Sequence, residues 1–181
     1  AYLDRTGKDS LGFYLVLETA GRLPLTFSQH RWLKDIRGKE DYKLNFWKNL
    51  IRIVRAVDFL HSQGILHRNL DLNAILIGDD AHNSNFQLTG FEWSIRIQKF
   101  PVGIPHQQVT PSVFAEVITP QIFSFSSDWY ALGMLITEIL GIQISDLNNI
   151  NTPPADVVKT TGLSVREITL IRALLGIVKI E

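Results

Sequence analysis

Two short stretches hold the residue types that could do chemistry. One is His67-Arg68-Asn69-Leu70-Asp71-Leu72-Asn73-Ala74, and the other is Gly90-Phe91-Glu92. Asn69 is a neutral amide and cannot take a proton in the useful pH range. Ala74 and Gly90 have no side-chain oxygen at all. Asp71 and Glu92 are carboxylates, the hard oxygen donors that a divalent cation would take, although loop acids are usually just solvated. A third stretch, Ser127-Asp128-Trp129-Tyr130-Ala131-Leu132-Gly133, puts one acid at the head of an apolar run, where a helix dipole favours negative charge. His30, His61, His82 and His106 are scattered without HxxxH or HExxH spacing, so no zinc site is expected.

The elements that must position these residues can be read from period and punctuation. Residues 1–17 read as two short strands around a polar turn from Arg5 to Ser10, with Phe13-Tyr14-Leu15-Val16-Leu17 as the apolar strand. Glu18-Thr19-Ala20-Gly21-Arg22-Leu23 breaks it. Ser28 is placed to cap a short helix carrying Trp32, Leu33 and Ile36. Over 42–62, Phe46, Leu50, Ile53, Val57 and Leu60 step by three and four and so share one helical face. Lys48, Arg52, Arg55 and Ser62 lie on the opposite face, and Gly64 ends the helix. Ile75-Leu76-Ile77 and Phe86-Gln87-Leu88 read as a small hairpin. Residues 93–126, with Pro101, Pro105, Pro111 and Pro120, read as irregular. Residues 128–140 are almost continuously apolar, which predicts a buried helix. Ser164-Val165-Arg166-Glu167 is a capping box ahead of Ile168, Leu170, Ile171, Leu174 and Leu175. Trp32, Trp47, Trp93 and Trp129 read as core residues rather than a stacking platform.

Composition bounds the rest. The chain has 181 residues and 45% hydrophobic content, enough for one domain or one large subdomain with a real core. Lys+Arg and Asp+Glu are both 18, so no global basic field recommends a nucleic acid. The absence of cysteine excludes disulfides and thiolate metal sites and is compatible with the cytoplasm. No apolar run has the length of a membrane span, and Ala1-Tyr2-Leu3-Asp4-Arg5 does not read as a signal peptide.

Three of these segments, in order, carry a resemblance. His67-Arg68-Asn69-Leu70 through Ala74 resembles the H-R-D-L-x-x-x-N catalytic loop of a eukaryotic-type protein kinase, with Asn69 in place of the Asp base and Ala74 in place of the metal-binding Asn. Phe86 to Glu92 resembles the strand leading into D-F-G, with Phe91 kept, Gly90 for the Asp and Glu92 for the Gly. Ser127 to Gly133 resembles the start of the kinase F helix. The likeness runs from about residue 11 to the C-terminus.

The fold it implies is α+β, mainly α: a protein-kinase-like C-lobe with small β-hairpins and the N-lobe largely missing. Residues 1–20 would be a remnant of N-lobe strands and hinge. Residues 21–181 would be the C-lobe, with the catalytic-loop region at 65–77, the DFG-like region at 86–92, an activation-segment-like stretch at 93–126 and the F helix at 128–140. Thr110-Pro111-Ser112, or else Thr119-Pro120-Gln121, takes the A-P-E place. A lone strand hairpin leaves unpaired edges, so a covering structure is expected over it.

The resemblance also assigns roles. His67 and Phe91 correspond to hydrophobic-spine members, and Asp128 to the acid that anchors the catalytic-loop backbone. Arg68 would meet a phosphate, Glu92, Glu116 or only local backbone. Leu17, Glu18, Ala20 and Leu76 are the nucleotide-pocket positions. Phosphoryl transfer is chiefly positioning and charge neutralisation through magnesium, and Asn69, Ala74 and Gly90 have lost the groups that do this. The expectation is therefore a catalytically inactive, pseudokinase module, regulatory or scaffolding, cytoplasmic, with a protein partner or adjacent domain and no resident cofactor. The rival is a divergent kinase or ATP-binding switch in which Asp71 and Glu92 replace the lost magnesium ligands.

Overall fold

The computed structural model describes residues 2–9, 12–27, 39–78, 85–97, 104–105, 122–148, 158 and 162–179. The expected helix after Ser28, with Trp32, Leu33 and Ile36, lies outside them. So do Thr110-Pro111-Ser112, Thr119-Pro120-Gln121 and most of 93–126.

The chain opens with an antiparallel hairpin of β1 (Tyr2–Asp9) and β2 (Gly12–Glu18). The polar stretch expected to turn at Arg5 is instead strand. Thr6, Gly7 and Lys8 pair with Leu15, Tyr14 and Phe13, and the reversal falls between Asp9 and Gly12. Polar side chains are tolerated in a strand, and the ladder to an aromatic, β-branched partner outweighs their weak local preference for a turn. After a turn at Ala20-Gly21, β3 (Leu23–Pro24) pairs with β5 (Ile75–Ile77), which pairs in turn with β6 (Gln87–Leu88). The predicted two-stranded hairpin thus gains a third strand from Leu23-Pro24.

Helix α1 spans Glu40–Ser62, starting two residues before the predicted 42. Glu40 and Asp41 occupy its first turn, where negative charge suits the dipole. It buries Phe46, Asn49, Leu50, Ile53 and Val57, while Leu60 is half-buried. Asn49 Oδ1 accepts from Phe86 N (3.0 Å) and so ties the helix to the approach of β6. Gly64 ends α1 at φ 69°, and a Cβ there would stand 2.9 Å from the Ile97 carbonyl oxygen. Only glycine suits both the left-handed backbone and the close approach. The chain then enters β4 (Ile65–Leu66), paired with β7 (Ile95–Arg96). This pairing brackets the loop that carries His67 to Ala74. A further short pair joins β8 (Ile104–Pro105) and β9 (Ile122–Phe123).

Helix α2 spans Phe125–Leu140, three residues longer at its start than the apolar run predicts. Ser127 Oγ accepts from Ser124 N (3.0 Å), which closes the helix N-terminus earlier and leaves Asp128 inside the first turn. Ala131, Leu132, Leu135, Ile136, Ile139 and Leu140 are buried in one core with residues of α1 and β5. The short α3 (Ile144–Asn148) follows, and α4 (Val165–Leu174) packs on α2. Gly133 makes that packing close, since a Cβ there would lie 3.0 Å from Leu174 Cβ and 3.1 Å from a Leu175 methyl. The capping box predicted for α4 forms, with Ser164 N donating to Glu167 Oε2 (2.6 Å) and Glu167 N to Ser164 Oγ (3.3 Å).

Candidate functional site

Asp128 is almost fully buried in the first turn of α2 and points at the loop from His67. Its Oδ1 accepts from Arg68 N (2.8 Å) and its Oδ2 from His67 N (2.8 Å). A third partner, His61 Nε2 at the end of α1, lies 2.8 Å from Oδ2. The His61 ring packs between Phe125 (centroids 4.6 Å) and Trp129 (5.2 Å, edge-on). One acid therefore fixes two consecutive backbone amides. Arg68 has φ 68°, a left-handed conformation that costs a non-glycine residue about 1–2 kcal/mol and persists only when its surroundings enforce it. The two hydrogen bonds to a buried carboxylate are that enforcement.

His67 is wholly buried. Its Nε2 lies 2.8 Å from the Thr89 carbonyl, which can only accept, while Asn69 N donates to Nδ1 (3.3 Å). Both contacts suit the neutral imidazole with its proton on Nε2. Burial lowers the imidazole pKa, and the bond to Thr89 and the charges of Asp128, Glu92 and Asp71 offset this only in part. The Phe91 ring meets His67 edge-on at 5.1 Å and is otherwise half exposed.

Asn69, Ala74 and Gly90 converge. Thr89 N donates to Ala74 O (2.8 Å), which brings Gly90 against Ala74. A Cβ on Gly90 would stand 3.2 Å from Ala74 Cβ and 3.5 Å from Asn69 Nδ2. Gly90 has φ 81°, a conformation in which glycine is free of strain. What meets at this point is a hydrogen, a methyl group and an amide. Asp71 Oδ1 accepts from Asn73 N and Ala74 N (2.9 Å each), so this carboxylate caps its own turn. Glu92 lies exposed in the single turn Phe91–Trp93. Among the described residues no group of three or more His, Cys, Asp and Glu could hold a metal ion.

Asp71 and Glu138 both line an open cavity of about 450 Å³, shared with Leu70, Met134, Ile142 and Ser145. Burial, then the charge of Asp71, raises the Glu138 carboxyl above its ordinary range. Of the residues expected at the hinge, Leu17 pairs with Leu3 and Glu18 with Tyr2, and Ala20 is exposed at φ 51°. Leu76 is buried in β5, opposite Pro24 and Gln87. The β3–β5 pairing therefore ties Leu23-Pro24 to Leu76.

His61 escapes the sequence reading, which treats it as one of several scattered histidines. The signal is present, however: the step of four from Val57 reaches His61 and extends the buried face into the last turn of α1. Gly133 escapes as well, because its role depends on where α4 docks.

A buried helix whose first-turn acid clamps the backbone of an H-R-x-L loop, beside a D-F-G-like turn, defines the class as a protein kinase fold, here mainly helical with small sheets. The family model for the protein kinase domain matches residues 6–159, and the chain belongs to that family. It is 27% identical over 104 residues to a probable inactive serine/threonine-protein kinase of Dictyostelium discoideum, covering 51% of this chain and 8% of that one. The cAMP-dependent protein kinase catalytic subunit of the same organism is 34% identical over 89 residues (49% and 13%). Serine/threonine-protein kinase ppk21 of Schizosaccharomyces pombe is 27% identical over 146 residues (76% and 25%). The chain thus spans a quarter or less of the length of these relatives.

The donor set does not suit the magnesium ion that the family uses. The two positions that the motif resemblance assigns to its ligands hold Ala74 and Gly90, and the space beside Gly90 is taken up by the Ala74 methyl. Asp71 Oδ1 is engaged with its own backbone, and Glu92 is an exposed acid in the next turn that forms no metal-binding group with other described residues.

Proposed function

We propose that this chain is a pseudokinase module, a non-catalytic regulatory or scaffolding part of a larger protein or complex. The carrying observation is the convergence of Asn69, Ala74 and Gly90 on one point, where a Cβ on Gly90 would stand 3.2 Å from Ala74 Cβ. A general base must reach the proton it takes, and the amide of Asn69 has no basic lone pair to offer. The intact anchor around Asp128 supports the reading from the other side, because it keeps the loop in shape without any reacting group on it. The surfaces left to work are those of a binding protein, which is how a fold outlives its chemistry. Cytoplasmic residence and a protein partner or adjacent domain belong to this reading; among the described residues, no helix is long and apolar enough to cross a membrane.

Thermal unfolding of the full-length protein with and without ATP, each with and without magnesium, is the test. Saturation at a hundred times Kd adds about 2.7 kcal/mol to a native-state binder. The pseudokinase reading expects no magnesium-dependent shift and no transfer of labelled phosphate. A magnesium-dependent shift abolished by Asp71→Ala or Glu92→Ala would overturn it in favour of a divergent kinase or ATP-binding switch.

A further inference from the structure

The outer face of α1 has no role in the anchor or the cleft. It is also where exposed apolar side chains concentrate. Leu44 (54% exposed), Ile51 (49%), Val54 (37%) and Phe59 (65%) all lie on it, half of the large exposed hydrophobics found among the described residues. Isolated exposed apolar residues are ordinary, but a concentration on one element points to an interaction surface.

Their spacing is regular. Leu44, Lys48, Ile51, Arg55 and Phe59 step by four, three, four and four, so they form one stripe along the helix. The types alternate along it: apolar, cation, apolar, cation, apolar. At 1.5 Å per residue the stripe is about 22 Å long. Leu44 and Ile51 repeat at seven residues, and so do Lys48 and Arg55, which is the repeat by which one helix packs along another. Arg52 flanks the stripe on one side and Val54 on the other.

The charges decide what partner fits. Lys48, Arg52 and Arg55 are exposed, and none makes an ion pair among the described residues. Asp58 is the acid nearest to them in sequence on this face, and it too makes no ion pair there. A helix face meant only for water tends to carry opposite charges at i and i+4; this one presents three like charges between apolar anchors.

We infer that the outer face of α1 docks an acidic amphipathic helix of a protein partner, whose apolar side chains meet Leu44, Ile51 and Phe59 and whose carboxylates meet Lys48, Arg52 and Arg55. The apolar contacts supply affinity, and the charges fix register and exclude basic helices. This surface is separate from the altered cleft, so it stands whether or not nucleotide binds there.

The test is fluorescence anisotropy of the full-length protein with a labelled three-heptad helical peptide, leucine at one seam position and glutamate at the other. A scrambled peptide of the same composition and a peptide with lysine for glutamate serve as controls. The expected result is binding of the acidic peptide alone, weakened about tenfold or more by Arg52→Glu with Arg55→Glu. That double variant should in turn take the lysine peptide. Ile51→Ser with Phe59→Ser should abolish binding of either. All four positions are exposed, and an unchanged melting temperature in each variant separates lost docking from lost fold. Equal binding of the scrambled peptide, or no effect of the charge reversals, would overturn the inference. So would binding to phosphatidylserine vesicles through the same residues without binding to the peptide, which would make the stripe a membrane contact.

Discussion

At the residue scale, the loop from His67 is shaped by a carboxylate that is not part of it. Asp128 satisfies two amides of that loop and holds Arg68 left-handed, with His61 closing the third side. Removing it leaves buried donors without an acceptor. Asp128→Ala is expected to cost about 3 kcal/mol or more, measured as the shift in urea midpoint at constant slope. A loss under 1 kcal/mol would mean that the loop holds its own shape. His67 gives a pH signature. Its imidazole titrates at about 6.5 in the unfolded chain, and burial sets the folded value lower. Below 6.5 the unfolded state therefore binds more protons. The stability is complete above that pH and declines as pH falls towards the folded value. His67→Phe should cost about 1 kcal/mol at neutral pH through the lost bond to Thr89. It should also flatten the acid side of the melting-temperature profile. Parallel profiles for the two proteins would refute the assignment.

At the scale of elements, the sequence reads the helices well and their ends less well. The three-and-four stepping from Phe46 to Val57 predicts both the existence of α1 and its buried face. It misplaces the start by two residues because Glu40 and Asp41 contribute through charge rather than through hydrophobic period. The start of α2 is misplaced for the same kind of reason: Ser124 and Ser127 cap it ahead of the apolar run. Gly133 shows what an element owes to its neighbour. Inside a helix, glycine lowers stability by about 1 kcal/mol relative to alanine, so Gly133→Ala would stabilise an isolated α2. In the folded chain the added methyl meets Leu174 Cβ at 3.0 Å. The expected outcome is a net loss of about 1–3 kcal/mol through overpacking, with the near-ultraviolet signal of Trp129 altered. A gain in melting temperature would show that α4 can back away.

At the scale of the whole molecule, distant segments are joined by a few specific contacts. Lys43 in α1 donates to the Gly162 carbonyl (3.0 Å) and pairs with Glu167 at the head of α4 (3.2 Å). Burial opposes the Glu167 charge, but the Ser164 amide and hydroxyl and the Lys43 ammonium together outweigh it and lower the pKa. A depressed folded value means that this stability is present above the ordinary value of 4.5 and is lost as pH falls through the folded one. Glu167→Gln should lower stability at neutral pH by about 1 kcal/mol and leave acid unfolding less steep below pH 4.5. An unchanged acid limb would show that the cap titrates without consequence for the join between α1 and α4.

By itself the sequence determined what is local or chemical. Asn69 lacks a base, and Ala74 and Gly90 lack metal-binding oxygens, wherever they stand, because those groups belong to side-chain identity. The periods and the Ser164–Glu167 box specify helices because hydrogen bonds and apolar faces repeat along a short stretch of chain. Only the tertiary structure decided that the three altered positions meet, that His61 joins Asp128, that Gly133 is a packing contact, and that Leu23-Pro24 completes a sheet with β5. Those facts depend on residues far apart in the chain, and no local pattern encodes the distance between them. The outer face of α1 combines both kinds of knowledge. Its alternation of apolar and basic residues is legible in the sequence, but its exposure follows from which face the core has taken.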